Sequence, residues 1–168
     1  MQHIDVNFCV RCGNTLEMIV RFGADRPVCT KCDYTHFFDP KVAAAMWLIQ
    51  NNKILLVRRA IEPAKGCWTI PGGFVDAWEN PAETASRECA EETGLEVIAE
   101  KLLDLVPSQH HSNGAGFVIF YRGKILSGKL QAGDDADAVD WFGINQLPEI
   151  AFHATEIMIN RWKKGQLF

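Results

Sequence analysis

Apolar residues along this chain gather in short runs separated by turn-forming residues. Val42–Ile49 is almost wholly apolar, and after Gln50-Asn51-Asn52 the run Lys53–Arg59 is apolar at its centre. Runs of this length predict two strands joined by a turn, in which Asn tolerates positive φ. Phe117–Tyr121 and Ala138–Phe142 predict two further strands. Close to the C-terminus, Ile157, Met158, Arg161 and Trp162 follow a helical period over about 154–164, where the apolar members suit a core or a dimer contact.

One predicted helix carries a different message. Asn80 is a good N-cap, Pro81 suits the first helical position, Glu83 is placed to complete a capping box, and Gly94 offers a left-handed stop. These signals predict a helix over about 81–93. At about 100° per residue, Glu88, Glu91 and Glu92 share one wedge of it, and Arg87 stands four residues before Glu91. Ala82, Ala85 and Cys89 lie on the neighbouring face and are small enough to press against a sheet. Acidic helix faces commonly meet only water. Carboxylates this close, however, raise each other's pKa unless a cation sits among them, and Mg²⁺ with its preference for oxygen ligands and phosphate suits the place.

The N-terminal part carries Cys9-Val10-Arg11-Cys12 and Cys29-Thr30-Lys31-Cys32, two CxxC pairs at zinc spacing. Four thiolates fill a tetrahedral shell, so the Zn²⁺ expected there is structural and activates no water. Disulfides compete, but no signal-peptide pattern is present and a chain of this size can form a core without bridges. A redox CxxC is the weaker reading, because no βαβ pattern surrounds either pair. About 33 residues bury too little apolar surface to fold unaided, so the metal is expected to supply the stability.

Residues 73–95 resemble the Nudix box, G-x5-E-x7-R-E-U-x-E-E-x-G-U with U aliphatic. Gly73, Glu79, Arg87, Glu88, Glu91, Glu92, Gly94 and Leu95 match it, and Cys89 stands at the first aliphatic position as a small hydrophobe. The flanks LLVRRAIEPAKGCWTIPGGFVD, Val139-Asp140-Trp141-Phe142 and Leu147-Pro148 extend the likeness over roughly residues 40–165. The resemblance implies an α/β fold, the Nudix α/β/α sandwich with a mixed sheet over residues 39–168, preceded by a small zinc ribbon over 1–38. It also implies hydrolysis of a nucleoside diphosphate linked to another group.

In that family the metal is Mg²⁺ or Mn²⁺. The resemblance assigns it to Glu88, Glu92, Glu91 and the carbonyl of Gly72, with Arg87 and Glu79 as a supporting ion pair. A box glutamate or an acid on a late loop serves as general base, and Asp135 in Gly133-Asp134-Asp135 is the aligned candidate, one methylene shorter than the usual Glu. Arg58 or Arg59 is a candidate to grip a phosphate, and strand alternation turns the other away. His110 and His111 lie in a polar loop that either touches substrate or faces water. Phe37, Phe38 and Trp47 suit either base stacking or a core.

A ribbon joined to such a domain resembles FAD and ADP-ribose pyrophosphatases. It resembles NADH pyrophosphatases less closely, since Ser108-Gln109-His110-His111 keeps only the first two letters of their SQPWPFPxS signature. ADP-ribose or FAD, cleaved with release of AMP, is the favoured expectation, with NADH, NAD or capped RNA as alternatives. The resemblance also implies a homodimer.

Composition narrows the remaining classes. The chain has 168 residues, 48% of them hydrophobic, and a net charge of −4. That charge, with only Arg11, Arg21, Arg26 and Lys31 on the ribbon, weighs against a nucleic-acid-binding module. A ligand-sensing regulator is disfavoured by the complete box. The run Val42–Ile49 is too short to cross a bilayer. Reduced thiols and the missing leader make a cytoplasmic location the expectation.

Overall fold

A computed structural model describes residues 6–108 and 115–167, which fall into two compact units divided between Pro40 and Lys41. The predicted loop histidines His110 and His111 lie outside the described residues.

The first unit is a hairpin of β1 (Glu17–Arg21) and β2 (Ala24–Val28), flanked by two cysteine knuckles. Phe22 and Gly23 form its two-residue loop, both at positive φ, as a tight hairpin demands. The knuckles repeat one local solution. Cys9 accepts at its carbonyl from the Gly13 N–H at 2.9 Å, and Cys29 likewise from the Asp33 N–H at 2.9 Å. Gly13 and Asp33 are both left-handed.

The second unit runs β3 (Val42–Trp47), β4 (Ile49–Gln50), β5 (Lys53–Arg59), β6 (Trp68–Thr69), β7 (Gly72–Phe74), α1 (Pro81–Thr93), β8 (Leu95–Pro107), β9 (Phe117–Gly128), β10 (Ala136–Gly143) and α2 (His153–Lys163). One sheet has the order β7-β3-β9-β8, with β3 parallel to β9 and the other pairs antiparallel. The other has the order β10-β5-β4, with β6 also paired to β5.

The long apolar runs are explained by burial on both faces. Ala44, Met46, Leu48 and Leu55 pack with Ala85, Cys89 and Leu95 toward α1. The alternate residues Ala45, Trp47, Ile54 and Leu56 pack with Met158, Ile159 and Trp162 toward α2. This is the α/β/α arrangement with a mixed sheet. Trp47 is fully buried against Trp162, so it belongs to the core and takes no part in stacking a ligand.

The structure adjusts several sequence expectations. The first long strand breaks at Leu48, giving β3 and β4, and the turn consists of Asn51 and Asn52 alone, both at positive φ, because Gln50 pairs with Lys53. Strands β9 and β10 outrun their apolar centres because partner strands continue to offer ladder bonds. The Asn80 side chain caps α1 by accepting from the Ala82 N–H at 2.9 Å, and Glu83 supplies first-turn negative charge. Gly94 closes α1 at φ 69°.

Candidate active site

Helix α1 is laid against β3 and β7 by its buried face of Thr84, Ala85, Cys89 and Thr93. Its next face carries the acids, which differ sharply in environment. Glu92 is only 3% exposed and accepts a hydrogen bond from the Gly72 N–H at 2.9 Å. Burial pushes its carboxyl up to about 9, with Asp135 and Glu88 adding negative charge and the Gly72 N–H opposing. Burial also raises Glu88, against the pull of the Arg87 guanidinium. Glu91, at 45% side-chain exposure, stands at the rim.

Arg87 ties the cluster together. It grips Glu79 with Nε at 2.9 Å and Nη2 at 3.2 Å, and its Nη1 donates to both Glu88 and Glu91 at 2.9 Å. The two-point contact with Arg87 holds the Glu79 carboxyl down at about 2. Glu79 in turn accepts from the Asp76 N–H at 3.2 Å, anchoring the loop between β7 and α1.

Two glycines allow the close approach. A Cβ at Gly73 would lie 2.3–2.5 Å from the Glu88 carboxylate, and one at Gly72 would lie 2.3 Å from the Ala44 carbonyl oxygen. At Gly72 the backbone contact requires glycine, whereas at Gly73 a side chain would displace the Glu88 carboxylate.

These groups border a cavity of about 900 Å³, of a size that suits a dinucleotide-like ligand. Glu88, Glu92, Gly72, Arg87 and Asp135 line it, together with Arg59; Arg58, Glu79 and Glu91 do not. Arg58 instead pairs with Asp137 at 2.6 Å and lies over the Trp68 ring, as strand alternation requires of the neighbour of an inward Arg59. Arg59 is steadied by the Pro63 carbonyl at 2.7 Å and lies over the Phe152 ring at 5.0 Å.

Sequence reasoning missed several lining residues. Phe74 and Asp76 follow the glycine pair, and Phe152 precedes α2. The Thr69 and Thr155 hydroxyls, 3.1 Å apart, bring polarity to an otherwise apolar wall. The glycine pair hinted at Phe74 and Asp76, but no local pattern marked the threonines, which tertiary packing brings together across 86 positions.

A metal ion suits the donor set. Glu62, Asp76, Glu88, Glu92, Asp134 and Asp135 face Arg59 and Arg87 around the cavity, so an anionic ligand enters only with cations. Buried Glu92 meets the Gly72 N–H and the acids Asp135 and Glu88, and hard carboxylate oxygens are what Mg²⁺ or Mn²⁺ prefers.

In the first unit the Sγ atoms of Cys9, Cys12, Cys29 and Cys32 all lie within 4.8 Å of one another, with Cys9–Cys32 at 3.6 Å and Cys12–Cys29 at 3.5 Å. A tetrahedron with Zn–S of about 2.3 Å has edges of about 3.8 Å, so the quartet is close to zinc geometry. Among the described residues no other set of three or more Cys, His, Asp or Glu side chains gathers so closely. Arg11 and Arg26 lie over Tyr34 and Phe37, and Arg21 pairs with Asp33 at 2.6 Å, so these cations are engaged within the first unit. Phe37 stacks with Phe22 and Phe38 meets His36 edge-on.

Residues 39–162 match the family model described as NUDIX domain. The chain belongs to the Nudix family. It is 38% identical to the ADP-ribose pyrophosphatase of Methanocaldococcus jannaschii over 135 residues, which cover 79% of this chain and 80% of that protein. It is 28% identical to the putative ADP-ribose pyrophosphatase YjhB of Bacillus subtilis over 67% of this chain, a stretch that makes up 54% of that relative. A crystal structure of a NUDIX hydrolase from Nitrosomonas europaea superposes with a TM-score of 0.82 at 28% identity, covering 96% of this chain and 94% of the other. The protein is therefore a Nudix-type pyrophosphatase acting on nucleoside diphosphate derivatives. Among the described residues no helix is long and apolar enough to cross a membrane.

Proposed function

We propose that this Nudix enzyme hydrolyses the diphosphate bond of ADP-ribose with Mg²⁺ or Mn²⁺ and releases AMP. The observation that carries the reading is Glu92, a carboxylate enclosed at the edge of a dinucleotide-sized acidic cavity. The choice of ADP-ribose is supported by the two relatives that bear that activity in their names.

In this reading Glu88 and Glu92 hold the metal with the Gly72 carbonyl, and Glu91 joins them from the rim. A divalent cation held there would supply charge neutralisation for the diphosphate and Lewis acidity for hydrolysis. Arg87 holds Glu88 and Glu91 in place and is itself fixed by Glu79. Arg59 is the cation on the wall suited to a phosphate oxygen. Asp135 is the candidate general base: it lies on the cavity wall and its charge reaches Glu92. Four cysteines hold a structural Zn²⁺ in a ribbon over residues 1–38, ahead of a catalytic domain over 39–168.

The test is AMP release from a panel of ADP-ribose, FAD, NADH, NAD and diadenosine polyphosphates with Mg²⁺ or Mn²⁺. ADP-ribose is expected to give the highest kcat/KM. Preference for FAD or NADH would replace the substrate and keep the chemistry, whereas no cleavage anywhere in the panel would remove the dinucleotide reading.

Arg87 offers a second test. Arg87→Lys keeps the charge but cannot span three carboxylates, so kcat is expected to fall about 10–100-fold, as when a partner that orients metal ligands is lost. Unchanged kcat in that variant would show that the glutamates hold their positions without the guanidinium.

A further inference from the structure

The loop between β7 and α1 contains a side chain that the chemistry above leaves unused. Asp76 accepts at its carbonyl from the Glu79 N–H at 3.0 Å, closing a four-residue turn with Ala77 and Trp78 in the middle. Trp78 has φ 77° while Ala77 is not left-handed, the pattern of a type II turn. That third position demands Gly or Asn; a bulky indole there is strained. The strain has no packing gain to offset it, because Trp78 is fully exposed.

The turn is nevertheless firmly fastened. Glu79 closes it twice, through its own N–H and through its carboxylate on the Asp76 N–H, and Arg87 clamps that carboxylate at two points. Residues held against their conformational preference by surrounding contacts cluster at active sites and ligand clamps. The neighbours say which function. Asp76 and Phe74, two and four residues earlier, both line the cavity, Phe74 is itself 46% exposed, and Trp78 stands outside that lining.

We infer that Trp78 is a substrate-binding residue whose indole, presented by the strained turn, stacks on the planar base of a nucleotide that extends from the cavity past Phe74. An exposed aromatic ring on a loop that lines the cavity through Asp76 suits a heteroaromatic base, since stacking needs a π-face and no fixed hydrogen-bond pattern. The clamp then has two ends: Arg87 orders the acids on one side and, through Glu79, the stacking residue on the other. This inference rests on the nucleotide-hydrolase reading, although its test below does not need ADP-ribose to be the substrate.

Trp78→Gly, Trp78→Asn and Trp78→Phe are compared in the full-length protein with Mg²⁺. The probes are AMP and ribose 5-phosphate, as inhibitors of whichever panel substrate is cleaved. Loss of the ring in Trp78→Gly and Trp78→Asn is expected to weaken AMP inhibition about 5–20-fold, within the range of a lost base–aromatic stack. Inhibition by ribose 5-phosphate, which has no base, stays unchanged, and Trp78→Phe retains most of the AMP affinity. Gly and Asn tolerate positive φ, so both variants keep or raise the Tm, and a folding defect cannot account for the loss. AMP inhibition equal to wild type in both ring-less variants overturns the inference. Equal weakening toward AMP and ribose 5-phosphate also overturns it, because the turn would then act on the phosphate site alone. Absence of cleavage across the substrate panel refutes the proposed activity separately. In that case, quenching of indole fluorescence by AMP in wild type but not in Trp78→Phe would still support stacking, and identical quenching in both would sink it.

Discussion

Glu92→Gln lowers turnover at least ~100-fold while the fold survives, the size of effect typical of losing a metal ligand or catalytic base. Glutamine is close in shape to the protonated acid and can still accept the Gly72 N–H, so packing is kept. The same substitution acts on stability in the opposite direction. Glu92 ordinarily titrates at 4.5, and burial in the folded protein pushes it up to about 9. Between those values the folded state binds a proton that the unfolded state has released. Stability of the metal-free enzyme therefore falls as pH rises from 4.5 towards about 9. Thermal unfolding across that window in chelator should show a slope in wild type that flattens in Glu92→Gln. Adding Mg²⁺ at the alkaline end should raise the Tm of wild type and leave the variant nearly unmoved. Near wild-type turnover in the variant would remove Glu92 from the mechanism, and an unchanged slope would locate the titrating group elsewhere.

With Zn²⁺ held by Cys9, Cys12, Cys29 and Cys32 as proposed, chelation is expected to unfold the first unit and leave the second folded. Structural zinc contributes roughly 10–16 kcal/mol of apparent binding free energy in small zinc-finger peptides, which is folding free energy when no preformed site exists. A 40-residue unit has little else to rely on, since a chain so short seldom builds a sufficient core. The two main apolar clusters draw all their described members from Lys41 onward. Hydrogen exchange after chelation should show protection lost in β1 and β2 alone, with Cys29→Ser reproducing the pattern. A chain beginning at Phe38 should retain metal-dependent hydrolysis. Failure of that shortened chain to fold would mean that the two units depend on one another.

Local chemistry made part of this molecule readable from its residues. Helix α1 begins and ends where Asn80, Pro81 and Gly94 require, because caps act on the nearest backbone groups. Strand β5 runs over Lys53–Arg59 as its apolar centre suggests, and strand alternation separates Arg58 from Arg59. Strand β8 was not legible. Its register shifts near Glu96, Ala99 and Leu102 break the two-residue period, so no clean alternation survives in Leu95–Pro107.

The acids of α1 were visible as a group, but their inequality was not. Burial separates Glu92 from Glu91, and that depends on β3 and β7 lying against the helix. The ring of Trp47 shows the same limit, since an aromatic residue in an apolar run gives no sign of which layer it enters. Phe152, Thr69 and Thr155 reach the cavity only through tertiary packing, at separations where local patterns carry no information.

Strand β3 lies between helix α1 on one face and the α2 cluster on the other, and its residues Ala43, Ala44 and Ala45 all border the cavity. The room available to a ligand is thus bordered by three small residues whose methyl groups alternate between the two packed faces of the strand, which has no freedom to retreat. Branching any of them would subtract space from the guest or force the layers apart. Variants with altered appetite for bulky or slender nucleotides are therefore to be sought on the rim of the cavity, at Ile61, Phe74 and Phe152, where size can change without disturbing the centre of the sandwich.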